Sequence, residues 1–243
     1  RDGNWTSTNL KDLFTFVIIN DKTLSKLLFG KFITRFFSNI KYIFNKNTIK
    51  GSKKNIEAHY DLGNSFYKIW LDKSLTYSSA LFLDSKNSLY EAQVNKYRRI
   101  REILKTPSSN RLLEIGTGWG GFLAQSKNDF DKLDSITISK EQFSHSSVLH
   151  KDNSNVNIIY DDYRNISQTY NSIVSIEMFE AVGQQYWSTY FQKINNLLTK
   201  NGKAVVQTIT IDDKLFDAYK NSTDAIRTFI FPGGMLPSPS IFM

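Results

Sequence analysis

The stretch RLLEIGTGWGGF, residues 111–122, decides the fold class because a short apolar run meets a glycine-rich turn there. RLLEIG is predicted as a buried strand, and GFLAQSKND, which starts at residue 121, as the beginning of a helix. Gly116 and Gly118 allow a tight turn and let a ligand approach the backbone closely. A structural turn without a ligand is the alternative interpretation of these glycines.

The second strand indicates which ligand the turn does not bind. A site for NAD needs an acidic residue at the end of that strand, whereas SITIS ends in Ser139. The turn therefore predicts a nucleoside-bearing ligand other than NAD.

Strands and helices alternate along the chain around this turn. Further strands are predicted at LDSITIS, VNIIY, NSIVSIEM and, over residues 202–211, GKAVVQTITI. Helices are predicted at NSLYEAQVNKYRRIREILK, KEQFSHSSVLHK and QQYWSTYFQKINNLLTK, the first opened by a capping box in which Ser88 precedes Glu91 by three positions. The pattern predicts an α/β fold with a parallel, doubly wound sheet that begins near residue 111 and binds its ligand at the carboxyl ends of its strands.

The composition fits one globular core with a small accessory region, and it excludes several kinds of site. The 243 residues are 40% hydrophobic and 14% aromatic. The absence of cysteine excludes disulfides, thiolate metal sites and cysteine nucleophiles. The three histidines lack the close spacing of a zinc site, so we expect no metal. No apolar run is long enough to span a membrane, and no signal peptide is visible.

The net charge of +8 comes from one segment. Nine lysine and arginine residues, and no Asp or Glu, lie between Lys22 and Ile56, where apolar residues recur at close to helical spacing. A basic amphipathic helix is typical of proteins at anionic membrane surfaces, and a core-packing helix with a solvated lysine face is an equally weighted alternative. Residues 1–56 are predicted as an N-terminal helical accessory region, followed by one domain over residues 57–243. No groove-reading module is visible, so we expect no nucleic acid partner.

Six blocks, taken in their order and spacing, resemble the cyclopropane-fatty-acyl-phospholipid synthases and the related mycolic acid cyclopropane synthases. The blocks are AHYDLGNSFYKIWLDKSLTYSSALF, LLEIGTGWGGF, SITISKEQ, YDDYRNI, IVSIEMFEAVG and FIFPGGMLPS. The resemblance covers nearly the whole chain from about Asn55. It implies a class I methyltransferase fold with a Rossmann-like sheet, S-adenosylmethionine as the cofactor, and unsaturated acyl chains of phospholipids as the substrate.

The resemblance also assigns the residues that would bind the cofactor. They are Tyr77 and Ser78 at its methionine part, Gly116 and Gly118 beneath it, Thr137, Ile138 and Gln142 at the ribose, and Tyr163 and Arg164 beside the adenine. Each has a plainer alternative, such as a core position for Tyr77 or a surface position for Tyr163.

The chemistry implied by the resemblance is alkylation of a cis double bond, which leaves a carbocation on the acyl chain. Aromatic faces can stabilise such a cation. A base must then remove a proton, and in the family this base is identified as a bound bicarbonate. The residues that would form its site here are Glu180, Tyr60, Ser79, Gln207 and Ile209.

The sequence departs from the commoner family pattern at that site. It has YSSA where many members have YSCA, QTI where many have HTI, EAVG where many have EHVG, and GTG where many have GCG. Ser79 and Gln207 can still donate hydrogen bonds to an oxyanion. Bicarbonate binding and ring closure both stay open, and a methyl- or methylene-branched acyl chain is the alternative product.

The stretch SIEMFEAVG, residues 175–183, carries two carboxylates three positions apart. They could form a metal pair, a catalytic acid and base, or ligands for hydroxyl groups. A metal pair is disfavoured because no histidine or aspartate cluster joins them. We expect Glu180 to hold and orient the base, and Glu177, which closes the fourth strand, to do no more than support it.

The leading hypothesis is a lipid-modifying transferase in the cytoplasm, peripheral at the inner face of the membrane. The basic region 22–56 would contact anionic headgroups, and a homodimer is the one assembly considered. The alternatives are a methyltransferase for a soluble small molecule and a non-catalytic lipid-binding module. Family members continue past FPGGMLPS, so we expect the last two strands of the sheet to be absent and a sheet edge to be exposed.

Overall fold

The computed structural model describes residues 6–20, 23–24, 47–48, 51–52, 63–104, 110–221, 226–231 and 233–243. Five strands form one sheet within these ranges. They are β1 (Arg111–Ile115), β2 (Lys132–Thr137), β3 (Val156–Tyr160), β4 (Tyr170–Ile176) and β5 (Leu198–Gln207). All neighbouring pairs are parallel, in the order β3-β2-β1-β4-β5. The predicted parallel α/β sheet is confirmed.

Eight α-helices accompany the sheet in the described ranges. They are α1 (Leu10–Ile19), α2 (Gly63–Tyr67), α3 (Leu89–Leu104), α4 (Gly121–Ser126), α5 (Lys140–Leu149), α6 (Trp187–Leu197), α7 (Asp213–Lys220) and α8 (Pro239–Phe242). The predicted capping box opens α3, because the Ser88 N–H donates to Glu91 Oε2 at 2.7 Å and the Glu91 N–H donates to Ser88 Oγ at 3.3 Å. Among the described residues, no helix is both long enough and apolar enough to cross a membrane.

Helices cover both faces of the sheet. Successive residues of a strand point to opposite faces, so Leu112 packs with Ile100 of α3 while Leu113 packs with Ile194 of α6. Burying an aliphatic side chain of this kind contributes about 1.5–3 kcal/mol to folding. The two apolar clusters therefore hold the sheet between two helical layers, which is the doubly wound arrangement.

The last strand begins and ends four residues earlier than predicted. It spans Leu198–Gln207 instead of 202–211, and its register breaks between Tyr170 and Ser172 of β4. The next residues leave the sheet because the Thr208 hydroxyl and the Ile209 N–H both donate to Glu180. No strand lies beyond β5 in the part of the chain that the structure describes, so β5 forms an edge of the sheet.

The strand order places a crevice at the carboxyl ends of the central strands. From β1 the chain passes to β2 on one side, while β4 lies against the other side of β1. A reversal of this kind is where open α/β sheets bind ligands. Gly116 follows β1, Ile138 follows β2 and Glu177 follows β4, so these residues come together at one edge.

The basic residues of region 22–56 lie outside the described residues, as does Tyr60. The helical accessory region and the role of Tyr60 stay predictions.

Candidate active site

A cavity of about 750 Å³ opens at the carboxyl ends of β1, β2 and β4. Twelve of the fourteen predicted site residues line it: Tyr77, Ser78, Ser79, Gly116, Gly118, Thr137, Ile138, Gln142, Tyr163, Arg164, Glu180 and Ile209. Gln207 does not line the cavity, but it donates a hydrogen bond to Ser79, which does. The cavity is within the size range of small-molecule sites.

The glycine turn between β1 and α4 forms the floor of this cavity. Gly116 (φ 97°) and Gly118 (φ 53°) both adopt left-handed backbone conformations that favour glycine. A Cβ at Gly116 would meet the Met178 side chain at 3.3 Å, whereas a Cβ at Gly118 would have no heavy atom within 4 Å. Gly118 therefore faces open space, which leaves room for a ligand close to the backbone.

Thr137 and Gln142 form one unit on the wall at the end of β2. The Thr137 hydroxyl donates to Gln142 Oε1 at 2.8 Å and accepts the Ser139 N–H at 3.1 Å. Ser139 in turn caps α5, because its Oγ accepts the Gln142 N–H at 3.3 Å. The network fixes the amide of Gln142 at the cavity. An acidic residue is more usual than an amide where a site binds a ribose.

Arg164 braces the opposite wall. Its Nε and Nη2 donate to the two oxygens of Asp162 at 2.8 and 2.7 Å, and Asp162 holds the pKa of the guanidinium above its usual value. Two further donors reach the carbonyl oxygen of Asn47 at 3.1 Å and the hydroxyl of Ser52 at 3.3 Å. Tyr163 packs edge-on against Tyr190, and burial raises its pKa to about 12. Arg164 thus joins Asn47 and Ser52 to the cavity wall.

Glu177 is the carboxylate that Ser79 and Gln207 contact. Its Oε1 accepts the Ser79 N–H at 2.9 Å, the Ser79 hydroxyl at 2.6 Å and the Gln207 amide at 2.9 Å. The residue adopts φ 49°, a conformation that is uncommon for a residue with a side chain. The two donors that were assigned to a bound base therefore meet on Glu177.

Glu180 binds a different pair of groups. Its Oε1 accepts the Thr208 hydroxyl at 2.9 Å and the Ile209 N–H, while its Oε2 is buried without a hydrogen-bond partner. Burial raises the pKa of Glu180, and the bonds from Ile209 and Thr208 oppose this effect. Glu180 thus contributes an unsatisfied acceptor near Glu177.

Two residues of α3 that the sequence analysis did not select converge on Ser78. Lys96 Nζ donates to Ser78 Oγ at 2.5 Å, and Gln93 Nε2 donates to the Ser78 carbonyl oxygen at 2.8 Å. Only 5% of Lys96 is exposed, and burial lowers its pKa to about 8. A signal was present in the sequence, because Gln93 and Lys96 are polar residues on the apolar face of an amphipathic helix.

Glu114 lies buried below the glycine turn. Its Oε2 accepts the Ser135 hydroxyl at 2.6 Å, and burial raises its pKa to about 8. A neutral carboxyl group at this position avoids the cost of a buried, unpaired charge. Among the described residues, no cluster of His, Cys, Asp and Glu could hold a metal ion.

The family profile described as mycolic acid cyclopropane synthetase matches residues 47–243, which include the whole cavity. The chain belongs to this family. One relative is the tuberculostearic acid methyltransferase UfaA1 of Mycobacterium tuberculosis, which is 34% identical over 77% of this chain and 46% of the relative. Another is the cyclopropane-fatty-acyl-phospholipid synthase of Escherichia coli, 36% identical over 75% of this chain and 46% of the relative. The chain therefore spans somewhat under half the length of these two relatives.

A solved structure of a cyclopropane synthetase family member has the same architecture. The mycolic acid cyclopropane synthase CmaA1, complexed with SAH and CTAB, superposes with a TM-score of 0.70 at 30% identity, over 78% of this chain and 71% of the other. Coclaurine N-methyltransferase superposes with a TM-score of 0.68 at 18% identity, which shows a shared fold.

Proposed function

We propose that the chain is an S-adenosylmethionine-dependent methyltransferase that modifies unsaturated fatty acyl chains. The observation that carries the proposal is the cavity, which joins the glycine turn to the two carboxylates Glu177 and Glu180. Family membership and the relatives named for fatty acyl methylation and cyclopropanation support it.

The residues present fit the cofactor. Gly118 leaves open space over the turn, Thr137 and Gln142 present a fixed polar pair, and the buried Oε1 of Gln93 has no partner. When bound, the cofactor would supply an electrophilic methyl group. We propose the cofactor-binding roles that the resemblance implied, except that the guanidinium of Arg164 acts as a brace for the adenine side of the cavity.

The remaining lining suits an apolar substrate with a double bond. Its apolar members include Trp70, Phe82, Trp119, Phe231 and Leu236. Trp119 is 3% exposed and packs against Tyr67 with ring centroids 4.8 Å apart, so its position is fixed. Aromatic rings of this kind stabilise a cation that forms on the acyl chain and exclude the water that would trap it.

We assign the proton-accepting role to the carboxylate of Glu177. Ser79 and Gln207 already donate to its Oε1. The two side chains that the resemblance assigned to bicarbonate therefore bind the carboxylate of Glu177 instead. Glu180 orients the neighbouring loop through Thr208 and Ile209. In this proposal the proton passes from the alkylated chain to Glu177, without a bound bicarbonate. Bicarbonate held by Glu180, with Tyr60, is the competing arrangement.

The position of the lost proton decides the product. Loss from the transferred methyl group closes a cyclopropane ring, and loss from a neighbouring chain carbon leaves a methyl-branched chain with one double bond. A methylene branch forms when a hydride shift first moves the cation to the branch carbon and the methyl group then loses the proton. A saturated methyl branch would in addition need a hydride donor from another source. The branched product is a second candidate, because the carboxylate of Glu177 replaces the expected anion and one relative is named as a tuberculostearic acid methyltransferase.

The proposal has four further parts. The acyl carrier is a phospholipid, and the basic region 22–56 docks on an anionic membrane. The protein lies peripherally at the inner membrane face and forms a homodimer. The charge of that region supports the membrane contact. Vesicle binding that persists when Lys26, Lys31 and Arg35 are neutralised would contradict it.

The test is incubation of the protein with unsaturated phospholipid vesicles and S-adenosylmethionine, followed by mass analysis of the released fatty acids before and after catalytic hydrogenation. A gain of one methylene without a remaining double bond indicates a cyclopropane, and the same gain with a double bond indicates a branch. Turnover of a soluble acceptor without vesicles would favour the small-molecule methyltransferase. Vesicle binding without cofactor binding would favour the lipid-binding module.

A further inference from the structure

Lys96 is a buried ammonium group that forms no direct ion pair in the described part of the chain. It is 5% exposed, and its Nζ donates to Ser78 Oγ at 2.5 Å and lies 4.7 Å from the centre of the Tyr97 ring. No carboxylate in the described part of the chain lies within 4 Å of Nζ. Removing one partner of a buried ion pair is costly, because the remaining charge is left without compensation. The carboxylates of Glu177 and Asp72 act on Lys96 only from beyond that distance, so the ammonium group can also stabilise an anion that arrives with a ligand.

Ser78 lies between Lys96 and the cavity. Its Oγ accepts the bond from Lys96, so the hydroxyl hydrogen is free to be donated in another direction. Ser78 lines the cavity, and its hydroxyl donates to no acceptor among the described residues. A hydroxyl that is polarised by an ammonium group and donates towards the cavity suits a carboxylate.

Gln93 provides the opposite kind of group at the same place. One helical turn before Lys96 on α3, it donates from Nε2 to the Ser78 carbonyl oxygen at 2.8 Å. Its Oε1 is buried without a hydrogen-bond partner, and the residue is 2% exposed while lining the cavity. An unpaired buried acceptor is unfavourable unless a ligand donor satisfies it. Gln93 therefore suits an ammonium group.

A cation acting through Ser78 and an acceptor beside it match a zwitterion. We propose that Gln93, Ser78 and Lys96 form a clamp for the amino-acid end of the cofactor, with Ser78 binding the α-carboxylate, Gln93 binding the α-ammonium group, and Lys96 acting as a positioning residue through Ser78. The inference rests on the proposed function, since it takes S-adenosylmethionine as the cofactor. It adds two α3 residues to the site and gives a reason for the polar pair on the apolar face of that helix.

The clamp predicts that affinity depends on the amino-acid end of the ligand. Calorimetry would compare S-adenosylhomocysteine, which carries that end, with 5′-methylthioadenosine, which lacks it. For Lys96→Met we expect the Kd for S-adenosylhomocysteine to rise about 10- to 100-fold, with the Kd for 5′-methylthioadenosine unchanged. Gln93→Leu should show the same selective loss, and Lys96→Arg should retain most of the affinity because it keeps the charge.

Lys86→Met serves as the matched control, because Lys86 is exposed and does not line the cavity. Equal losses for both ligands in Lys96→Met and Gln93→Leu would mean that these residues only support the fold, and unchanged affinity for S-adenosylhomocysteine would also overturn the clamp. If Lys96→Met does not fold, Gln93→Leu and Lys96→Arg decide the matter. Wild-type protein that binds neither ligand would contradict the proposed function itself, whereas equal wild-type affinity for both contradicts only the clamp.

Discussion

Replacing Glu177 by glycine tests the assignment of the base, and its effect on folding can be estimated from the structure. Glu177 has φ 49°, and a left-handed conformation costs a residue with a side chain about 1–2 kcal/mol, which glycine avoids. The substitution also removes three hydrogen bonds to Oε1. Ser79 is exposed, so water replaces part of them, and each bond is worth about 1 kcal/mol. The two effects nearly cancel, and we expect the free energy of unfolding to change little.

Activity should respond very differently from stability. Loss of a positioned base lowers the rate by about 10²- to 10⁴-fold. In Glu177→Gly the donors of Ser79 and Gln207 are left without their anion, so added bicarbonate should restore a large part of the product. The assay follows acyl methylation by mass analysis, with bicarbonate-free buffer compared against buffer with added bicarbonate, and urea unfolding reports the stability.

Asn201→Gly is the matched control for the backbone change. Asn201 also has a positive φ, 69°, and lies outside the cavity, so this variant should gain a little stability and keep full activity. Wild-type activity of Glu177→Gly in bicarbonate-free buffer would refute the assignment of Glu177 as the base. A folded, inactive variant that bicarbonate does not restore would refute the idea that Glu177 takes the place of a bound anion.

Two further predictions concern carboxyl groups. Glu180→Gln should keep most of the activity and nearly unchanged cofactor affinity, because the amide oxygen of glutamine can still accept the bonds from Thr208 and Ile209. Loss of product with cofactor affinity retained would favour the competing arrangement, in which Glu180 holds bicarbonate. Glu114 keeps its proton up to about pH 8 in the folded protein but only to its ordinary value of 4.5 when unfolded. Between these values the unfolded chain binds fewer protons, so stability falls by about 1.4 kcal/mol per pH unit as the pH rises, and the loss is complete above pH 8. Glu114→Gln should show a shallower fall in urea unfolding between pH 5 and 8, and identical pH dependence of both proteins would contradict this account of Glu114.

The general plan of the fold could be predicted from local pattern. Apolar runs followed by helical periodicity predicted β1 to β4 closely, and the glycine turn predicted the cavity floor. The end of β5 could not be predicted, because TITI continues an apolar, β-branched run. What ends the strand is a tertiary contact, the bonds from Thr208 and Ile209 to Glu180.

The roles of the two glutamates depend on one backbone conformation. The pattern indicated that Glu177 closes the fourth strand and that Glu180 follows it. It could not show that a positive φ at Glu177 places its side chain against Ser79 and Gln207. The contacts of Lys96 and Gln93 are also tertiary, since each reaches Ser78 from a helix that begins eleven residues later. Pattern analysis of α3 identified its capping box and its apolar face, but not the ligand side of that face.

The most direct test of the central claim uses S-adenosylmethionine carrying an isotopically labelled methyl group. The protein is incubated with vesicles of unsaturated phospholipid and, in parallel, with vesicles whose acyl chains are fully saturated, and label in the extracted fatty acids is measured. The account predicts label in the unsaturated chains alone, reduced at least about 100-fold with Glu177→Gly in bicarbonate-free buffer. Label in the saturated chains, or none in either sample from protein that binds S-adenosylhomocysteine, would contradict it.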